Sequence, residues 1–317
     1  MKKLILFLLV FGAVRAMAQN VSGTVMNDHG QPVRYAFIYD PQSKNAAFSD
    51  STGAFNLAVN SASQILVKAK GYTSATVDAS GKTTLQVKLQ TDPNAPAVTA
   101  KTDIDQAFKT SDGYVMTPQA GDWATSVGQT RDVVGSRFFF RKWVPGYVIK
   151  ANGDVVEDAN ILFNYDKMKG DLYYNEAGKV SVNDKNVMNG FVLVGAQDKP
   201  VRFEMMPGIS SDLYCIVLSE GPNYKIYKLT KTKYIPSDYK TDGVSSTGNK
   251  YDEYADESTY YVMNMKTMAF QPIQLRKKSM QTTFAADGGK LNSFMSAHSS
   301  DKIDEGYLEA LGDAMNQ

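Results

Sequence analysis

The sequence predicts a mainly β protein in which an N-terminal β-sandwich is followed by a larger antiparallel β-domain with two short C-terminal helices. Short alternating apolar runs, separated by turn-forming clusters, fill residues 20–90 and return from about residue 122 onward. The last segment instead repeats apolar residues at helical spacing. Eighteen Tyr and fifteen Phe against eleven Pro also favour strands over helical bundles.

The composition is that of an ordinary globular protein. The chain has 317 residues, of which 43% are hydrophobic and 21% charged, so it is long enough for two domains that each bury a core. Thirty-four basic and thirty-three acidic residues give a formal charge of +1, and loss of the leader's Lys2, Lys3 and Arg15 changes this to about −2. That balance gives no electrostatic reason to expect a nucleic-acid partner.

Residues 1–18 are typical of a secretory signal peptide. Lys2 and Lys3 form the basic region, residues 4–14 the apolar core, and Ala16-Met17-Ala18 a small-x-small cleavage site. The apolar run is too short to span a bilayer, so cleavage after Ala18 is expected rather than an uncleaved anchor. No Cys follows the cleavage site, which argues against a lipid anchor. We therefore expect an exported protein, in the periplasm, at the cell surface or secreted, without a transmembrane segment after cleavage.

The strands predicted in residues 20–90 follow one another with a turn roughly every 8–12 positions. The first strand alternates apolar and polar residues and ends at the turn 27–30, and Asp50-Ser51-Thr52-Gly53 matches a type I turn. About six or seven such strands indicate a sandwich rather than an α/β unit. Four sets of alternating residues carry this prediction: Val21, Gly23 and Val25; Phe55, Leu57 and Val59; Ile65, Val67 and Ala69; Leu85, Val87 and Leu89.

The same stretch resembles the carboxypeptidase regulatory-like domain. The resemblance implies a transthyretin-like Greek-key sandwich of the kind found on many exported proteins of Bacteroidetes-type bacteria. It does not imply peptidase activity, because the family is named after a domain appended to the enzyme and not after its zinc site. The rest of the chain resembles no family of known function. The motifs that carry the resemblance are V-x-G-x-V at Val21, Gly23 and Val25; Asp28 with Gly30-Gln31-Pro32; Asp50-x-x-Gly53-x-Phe55-x-Leu57; Gly71-Tyr72; and Leu85-x-Val87-x-Leu89.

The remaining chain divides into a linker and a second domain. Residues 91–121 change in composition and are predicted to form the linker, opening with Thr91-Asp92-Pro93-Asn94-Ala95-Pro96. Residues 122–280 are predicted to form an antiparallel meander, with Asn152-Gly153 as its clearest hairpin turn. The meander is either curled or folded into two sheets, and its strand order stays open. Residues 237–259, rich in Asp, Gly, Ser and Tyr, are predicted to be a long loop.

Residues 281–317 are predicted to hold two amphipathic helices that pack on the sheet or close one end of it. Ser300 or Asp301 is expected to cap the second helix, with acidic residues in its first turn. The apolar residues at helical spacing form two sets: Leu291, Phe294, Met295 and His298; then Ile303, Tyr307, Leu308, Leu311 and Met315.

Cysteine and histidine, the usual carriers of catalysis and metal binding, are scarce. Cys215 is the only cysteine and lies in an apolar run, so we expect a buried, inert thiol. His29 lies in a turn and His298 near a helix end, and neither has the local company of a catalytic triad. The patterns H-E-x-x-H, G-x-G-x-x-G, G-x-S-x-G and the P-loop are missing. The sequence therefore predicts no cofactor and names no catalytic, cofactor-binding or metal-binding residue.

Two sets of residues are candidates for binding. Asp252-Glu253 with Asp256-Glu257 concentrates oxygen ligands that suit calcium, although the spacing differs from a calcium loop and a solvated loop is the preferred interpretation. Six tyrosines are candidates for an aromatic platform that binds a glycan, although strand aromatics more often pack in the core. They are Tyr173, Tyr174, Tyr224, Tyr227, Tyr260 and Tyr261.

These observations favour an exported, non-enzymatic binding or assembly protein in which the sandwich is the interaction module for a β-domain of unknown role. An open edge of the sandwich is expected to accept a strand of a protein partner, or surface tyrosines a glycan. The alternative is a hydrolase that acts on glycans through two carboxylates of the second domain.

Overall fold

The computed structural model describes residues 18–60, 63–94, 133–195 and 199–317. Within these residues the protein is mainly β, with 48% strand and 14% helix. It divides into two compact units, Met1–Ala97 and Val98–Gln317. The predicted signal peptide apart from Ala18, the predicted linker from residue 95 onward and residues 122–132 of the predicted β-domain lie outside the described residues.

The described part of the first unit contains seven strands in two sheets, ordered β4-β1-β7 and β3-β2-β5-β6. Neighbouring strands are antiparallel, except that β1 and β7 run parallel. The strands are β1 (Ala18–Asn27), β2 (Phe37–Asp40), β3 (Asn45–Phe48), β4 (Ala54–Asn60), β5 (Gln64–Lys68), β6 (Ala75–Asp78) and β7 (Thr84–Leu89).

One apolar core lies between the two sheets, because side chains alternate between the faces of each strand. On β7 every second residue from Leu85 to Leu89 is buried, and the residues between them are exposed. The predicted sandwich is confirmed by this shared core. Its members from the two sheets include Val21, Val25, Phe55, Leu57, Val59, Ile38, Ile65 and Val67.

The strands of the sandwich follow a Greek-key order. β2, β3 and β4 are consecutive neighbours, with β3 and β4 side by side where the two sheets meet. β5 then returns to pair with β2, and this return of a fourth strand to the first defines the Greek key. Asn45 closes the junction, because its side-chain amide donates to the Ala58 carbonyl at 2.9 Å.

The structure explains why the V-x-G-x-V motif has a glycine at position 23. It lies on the central strand β1, and a Cβ there would be 2.5 Å from the Leu85 carbonyl oxygen and 2.6 Å from the Phe55 ring. Both distances are shorter than van der Waals contact, so glycine is the residue that lets the three strands approach this closely.

The described part of the second unit is dominated by a nine-stranded sheet with the order β10-β9-β14-β15-β16-β17-β20-β21. β8 adds to the start of β20 in parallel, and the other neighbours are antiparallel. Among the described strands, the predicted meander therefore forms an open sheet with edges at β10 and β21. Its strands are β8 (Val133–Val134), β9 (Gly146–Lys150), β10 (Val155–Val156), β14 (Met188–Val194), β15 (Pro200–Met205), β16 (Tyr214–Glu220), β17 (Tyr224–Ile235), β20 (Asp252–Asn264) and β21 (Ala269–Ile273).

A second, three-stranded sheet packs on this large sheet. It consists of β11 (Ile161–Asp166), β12 (Asp171–Glu176) and β13 (Lys179–Val182). Aromatic side chains fill the space between the sheets, and Phe191 and Phe203 stack with ring centroids 4.6 Å apart. The buried residues of this core include Phe163, Tyr165, Leu172, Phe191, Leu193, Phe203 and Tyr214.

Three helices cover part of the large sheet: α1 (Lys277–Thr283), α2 (Gly288–Ala297) and α3 (Glu305–Asn316). The two predicted helices are α2 and α3, and α1 precedes them. No helix in the described ranges is long and apolar enough to cross a bilayer. The helices share a core with the strands that includes Ile226, Val262, Met280, Phe284, Leu291, Leu308 and Leu311.

The predicted cap of the last helix is wrong. Asp304, and not Ser300 or Asp301, caps α3, because its carboxylate accepts the Tyr307 N–H at 3.1 Å. The helix starts only at Glu305, so Asp301 lies nearly a turn too early and contacts the ring of His298 instead.

The predicted loop over residues 237–259 is wrong in its second half. β17 and β20 form a long two-stranded ribbon, in which Lys231 lies opposite Glu257 and Thr232 opposite Asp256. Such cross-strand pairs stabilise a strand that has no apolar face, so the alternation that normally indicates a strand is missing there. The remaining turn carries the short pair β18 (Lys240–Thr241) and β19 (Ser246–Thr247).

Candidate functional site

Cys215 is fully buried on β16, as predicted. Burial raises the pKa of its thiol to about 12, and the nearby charge of Glu204 adds to the effect. Because the thiolate is the reactive form of cysteine, this residue is inert at neutral pH.

The two histidines lie in different units. His29 is exposed in the first turn of the sandwich, with its ring 3.8 Å from an Asp28 oxygen. His298 ends α2, stacks on Phe294 and places its ring Nδ1 2.8 Å from an Asp301 oxygen.

The acidic residues Asp252-Glu253 and Asp256-Glu257 belong to β20 and not to a solvated loop. Alternation along the strand sends neighbouring side chains to opposite faces. Asp256 binds Lys167 at 2.5 Å and Thr232 at 2.6 Å. Among the residues that the structure describes, no three His, Cys, Asp or Glu side chains converge in a way that could hold a metal ion.

The six tyrosines singled out in the sequence do not form one exposed platform. Tyr173, Tyr224 and Tyr227 are buried. The other three are half-buried, and Tyr260 donates its hydroxyl to Glu305 at 2.9 Å. Most of this set therefore packs in the cores of the second unit.

Four charged side chains meet on one face of the large sheet, and together they form the ion cluster: Arg202, Glu204, Glu220 and Lys225. Arg202 and Glu204 are two residues apart on β15, which places them on the same face. The register of β16 and β17 sets Glu220 opposite Lys225. Three neighbouring strands thus bring together two cations and two anions.

Each carboxylate of the ion cluster contacts both cations. Lys225 Nζ lies 2.8 Å from Glu204 Oε1 and 2.7 Å from Glu220 Oε1. Arg202 contacts the same two carboxylates at 2.8 and 3.4 Å. The Tyr227 hydroxyl donates to the second Glu204 oxygen at 3.0 Å, so both Glu204 oxygens have donors.

These contacts lie largely away from solvent, since the side chains of Lys225 and Glu204 are only 7% and 16% exposed. Burial by itself raises the pKa of Glu204, but the hydrogen bond from Lys225 and the charge of Arg202 outweigh it and hold that pKa below its usual value. Burial also raises the pKa of Tyr227, and the negative charge of Glu204 raises it further. Glu204 is therefore held as a carboxylate within a cluster that pairs two basic side chains with two acidic ones.

The ion cluster is poorly suited to glycoside hydrolysis. A general acid in that reaction needs a carboxyl group with a raised pKa, whereas Glu204 is held as a carboxylate with both oxygens bound. The cluster instead joins three strands. The sequence does not predict it, although Arg-x-Glu within a strand and the Glu220 to Lys225 hairpin are the signals that point to it.

A cavity of about 280 Å³ lies beside α1 and β21. The Tyr224 hydroxyl donates to Asp287 at 2.5 Å, and burial together with this hydrogen bond raises the pKa of Tyr224 to about 12. The lining offers hydroxyl, amide and aromatic groups, which suit hydrogen bonding rather than acid–base chemistry. It consists of Tyr224, Val262, Asn264, Thr267, Ala269, Phe270, Gln271 and Thr283.

The end of the β17–β20 ribbon, residues 234–252 and here called the ribbon tip, exposes aromatic side chains. Tyr234, Tyr239 and Tyr251 are 45%, 37% and 38% exposed. Asp252 orders the base of the tip, because it accepts the Tyr234 hydroxyl at 2.6 Å and a backbone N–H at 2.7 Å. The Lys250 ammonium lies 5.3 Å from the centre of the Tyr239 ring. The tip therefore presents tyrosines on an ordered support.

The sandwich has an open edge at β7. Ser22 N–H donates to the Thr83 carbonyl at 3.0 Å, and Ser22 lies opposite Thr84 in the parallel register. Thr83 and every second residue after it therefore turn their backbone groups toward β1. In a parallel pair, alternate residues point their N–H and C=O away from the neighbour, and on β7 these are Thr84, Gln86 and Lys88. Their side chains are exposed, and none of the strands in the described ranges pairs with this side. These three residues define the sandwich edge.

Four other edges among the described strands are less available for pairing. β10 is two residues long, and β21 contains Pro272, which has no N–H to donate. In the sandwich, Asn45 occupies the Ala58 carbonyl on β4. On β6, the Lys82 ammonium occupies the Asp78 carbonyl at 2.9 Å.

Comparison with known proteins identifies no family. No family model matches the chain, and no curated protein matches it. Among solved structures, the Bacillus anthracis TIE protein is matched over 78% of this chain, with 12% sequence identity and a TM-score of 0.17. The match covers 45% of that protein, so the chain spans less than half of its length. A likeness this low supports no conclusion about fold or function.

Lys225→Met is expected to lower the free energy of unfolding of the second unit by about 2–3 kcal/mol, because two carboxylates lose their shared cation. The loss is smaller than for a fully buried pair because Glu220 is 45% exposed. Urea denaturation followed by circular dichroism measures it. Lys233→Met is the control, since its pair with Glu257 is exposed and its removal is expected to leave the free energy of unfolding unchanged within error. Equal losses in the two variants would contradict the role of burial.

Glu204→Gln is expected to lower the free energy of unfolding at neutral pH, and this loss is expected to disappear in acid. The folded protein holds the pKa of Glu204 below its usual value of 4.5, so ionised Glu204 stabilises the fold above that pH. This contribution is lost as the pH falls through the folded pKa. Free energies of unfolding from urea denaturation of the wild type and the variant are therefore expected to differ most near neutral pH and to converge as the pH falls through the folded pKa of Glu204. A difference that grows in acid would rule out this assignment.

Proposed function

We propose that the chain is an exported, non-enzymatic binding or assembly protein, with a carboxypeptidase regulatory-like sandwich at residues 20–90 as its interaction module. The motifs of that stretch support the family assignment, because Gly23 and Gly53 each occupy a position where a Cβ would collide with backbone. The leader-like residues 1–18 support export to the periplasm or beyond.

The observation that carries the proposal is the sandwich edge. Thr84, Gln86 and Lys88 present a row of backbone donors and acceptors, and exposed side chains leave access to them. An extended segment of a partner can join such an edge as an additional strand, with backbone hydrogen bonds supplying the affinity. The two-residue edge β10 and the proline-bearing edge β21 of the large sheet are poorer places of attachment than β7.

Gln86→Pro is expected to abolish capture of a partner while the sandwich stays folded. Proline removes the central outward N–H, and proline is tolerated on an edge strand whose N–H faces solvent. Tagged full-length chain is incubated with an envelope extract of its native host and cross-linked, and cross-links to residues 84–88 are counted by mass spectrometry. We expect at least a tenfold loss of these cross-links, on the order of 1.4 kcal/mol.

Asn56→Pro is the matched control, because Asn56 is an exposed residue on β4, the other edge strand of the same sheet. This variant is expected to keep its cross-links. Capture that survives Gln86→Pro would refute attachment at β7. Turnover of any member of a panel of glycoside and ester substrates by the purified chain would refute the non-enzymatic assignment.

A glycan ligand is the second candidate, and the ribbon tip favours it. Its half-exposed tyrosines combine an apolar ring with a polar hydroxyl, and Asp252 holds Tyr234 in place. A sugar ring has the matching combination of apolar and hydroxyl-bearing surfaces. This binding surface replaces the buried tyrosines that the sequence suggests.

Tyr239→Ala is expected to lower binding of the chain on a glycan array at least tenfold, because it removes an exposed ring from the tip. Phe270→Ala is the control, since Phe270 is also an exposed aromatic residue of the second unit (40%) but lies outside the tip. Binding that is equal for both variants, or absent from the wild type, would exclude the tip as a glycan site.

A further inference from the structure

We propose that the strand received by the sandwich edge is β7 of a second copy of this chain, antiparallel to the first about a two-fold axis at Gln86. This inference rests on the proposed function of the edge and names the partner. It joins the two three-stranded sheets into one continuous sheet with the order β4-β1-β7-β7-β1-β4.

The outward backbone groups fit this arrangement. An axis at Gln86 sets Gln86 opposite its own copy and Thr84 opposite Lys88, and the same pair recurs on the other side of the axis. In an antiparallel ladder, each hydrogen-bonded pair exchanges two N–H···O bonds. All three outward residues of β7 are then used, and about six backbone hydrogen bonds form between the copies.

The side chains also match about this axis. On the outer face, the opposed residues are Gln86 with Gln86 and Thr84 with Lys88, so no like charges face each other. On the inner face, Leu85 lies opposite Val87, and both already belong to the apolar core of the sandwich. The short sequence of β7 is therefore complementary to itself when it is reversed.

Neighbouring registers fit less well. Moving the axis to Leu85 sets Lys88 opposite Lys82, a repulsive pair. Moving it to Val87 makes Thr84 of the copy pair with Gln90, whose carbonyl already accepts the Thr73 N–H at 2.9 Å, whereas the ladder about Gln86 ends at the pair of Thr84 with Lys88. The two alternatives fail for independent reasons, which leaves Gln86 as the centre.

The test uses purified full-length chain and sedimentation velocity over a range of concentrations. The wild type is expected to be a dimer whose dissociation is visible on dilution. T84K sets a second lysine opposite Lys88 at both ends of the interface without changing the backbone, and it is expected to weaken the dimer at least tenfold. Adding K88E to T84K turns each repulsive pair into an attractive one and is expected to restore the dimer.

Two proline variants provide a second readout. Q86P is expected to be monomeric and N56P to remain dimeric, with circular dichroism checking that both stay folded. A wild type that is monomeric at roughly 100 µM overturns the inference, as does a dimer that tolerates T84K. If the purified wild type is monomeric and Q86P still loses partner cross-links from the extract, the inference fails while the proposed function stands.

Discussion

Strand β17 contributes side chains to both faces of the large sheet in the second unit, because neighbouring residues of a strand point to opposite faces. Ile226 faces the helices, where Gly312 of α3 approaches so closely that a Cβ would be 2.6 Å from the end of the Ile226 side chain. Lys225 and Tyr227, on either side, face the ion cluster. One strand thus links the helical core to the polar contacts of the other face.

The start of β17 is held by hydrogen bonds to the last helix. The Asn316 side chain accepts the Tyr224 N–H and donates to the Tyr224 carbonyl, both at 2.9 Å. A residue of the last helix therefore makes the same pair of bonds that a neighbouring strand would make. The far half of β17 has no such support and pairs with β20 through polar side chains, so it extends as a ribbon.

The sequence predicts those parts of the fold in which burial imposes a period on the chain. Alternation from Leu85 to Leu89 identifies a half-buried strand, and the spacing of Leu308 and Leu311 identifies a helix face. Lys231 and Glu257 lack this signal, because they pair with each other across the ribbon and do not pack against a core. The ion cluster escapes prediction for the same reason, since Glu204 and Lys225 become neighbours only through the order of the strands.

The difference between residues that face a core and residues that act through their neighbours in the sheet also bears on function. Nothing in the side chains of Thr84, Gln86 and Lys88 suggests a site, because their importance comes from backbone groups that point away from β1. Natural sheets protect such groups by shortening a strand, placing a proline or covering the edge. β10 is short, β21 carries Pro272 and β4 is closed by Asn45. Among the described strands, the row on β7 differs from these three edges in having no such protection, and association with another strand is a physical reason to retain it.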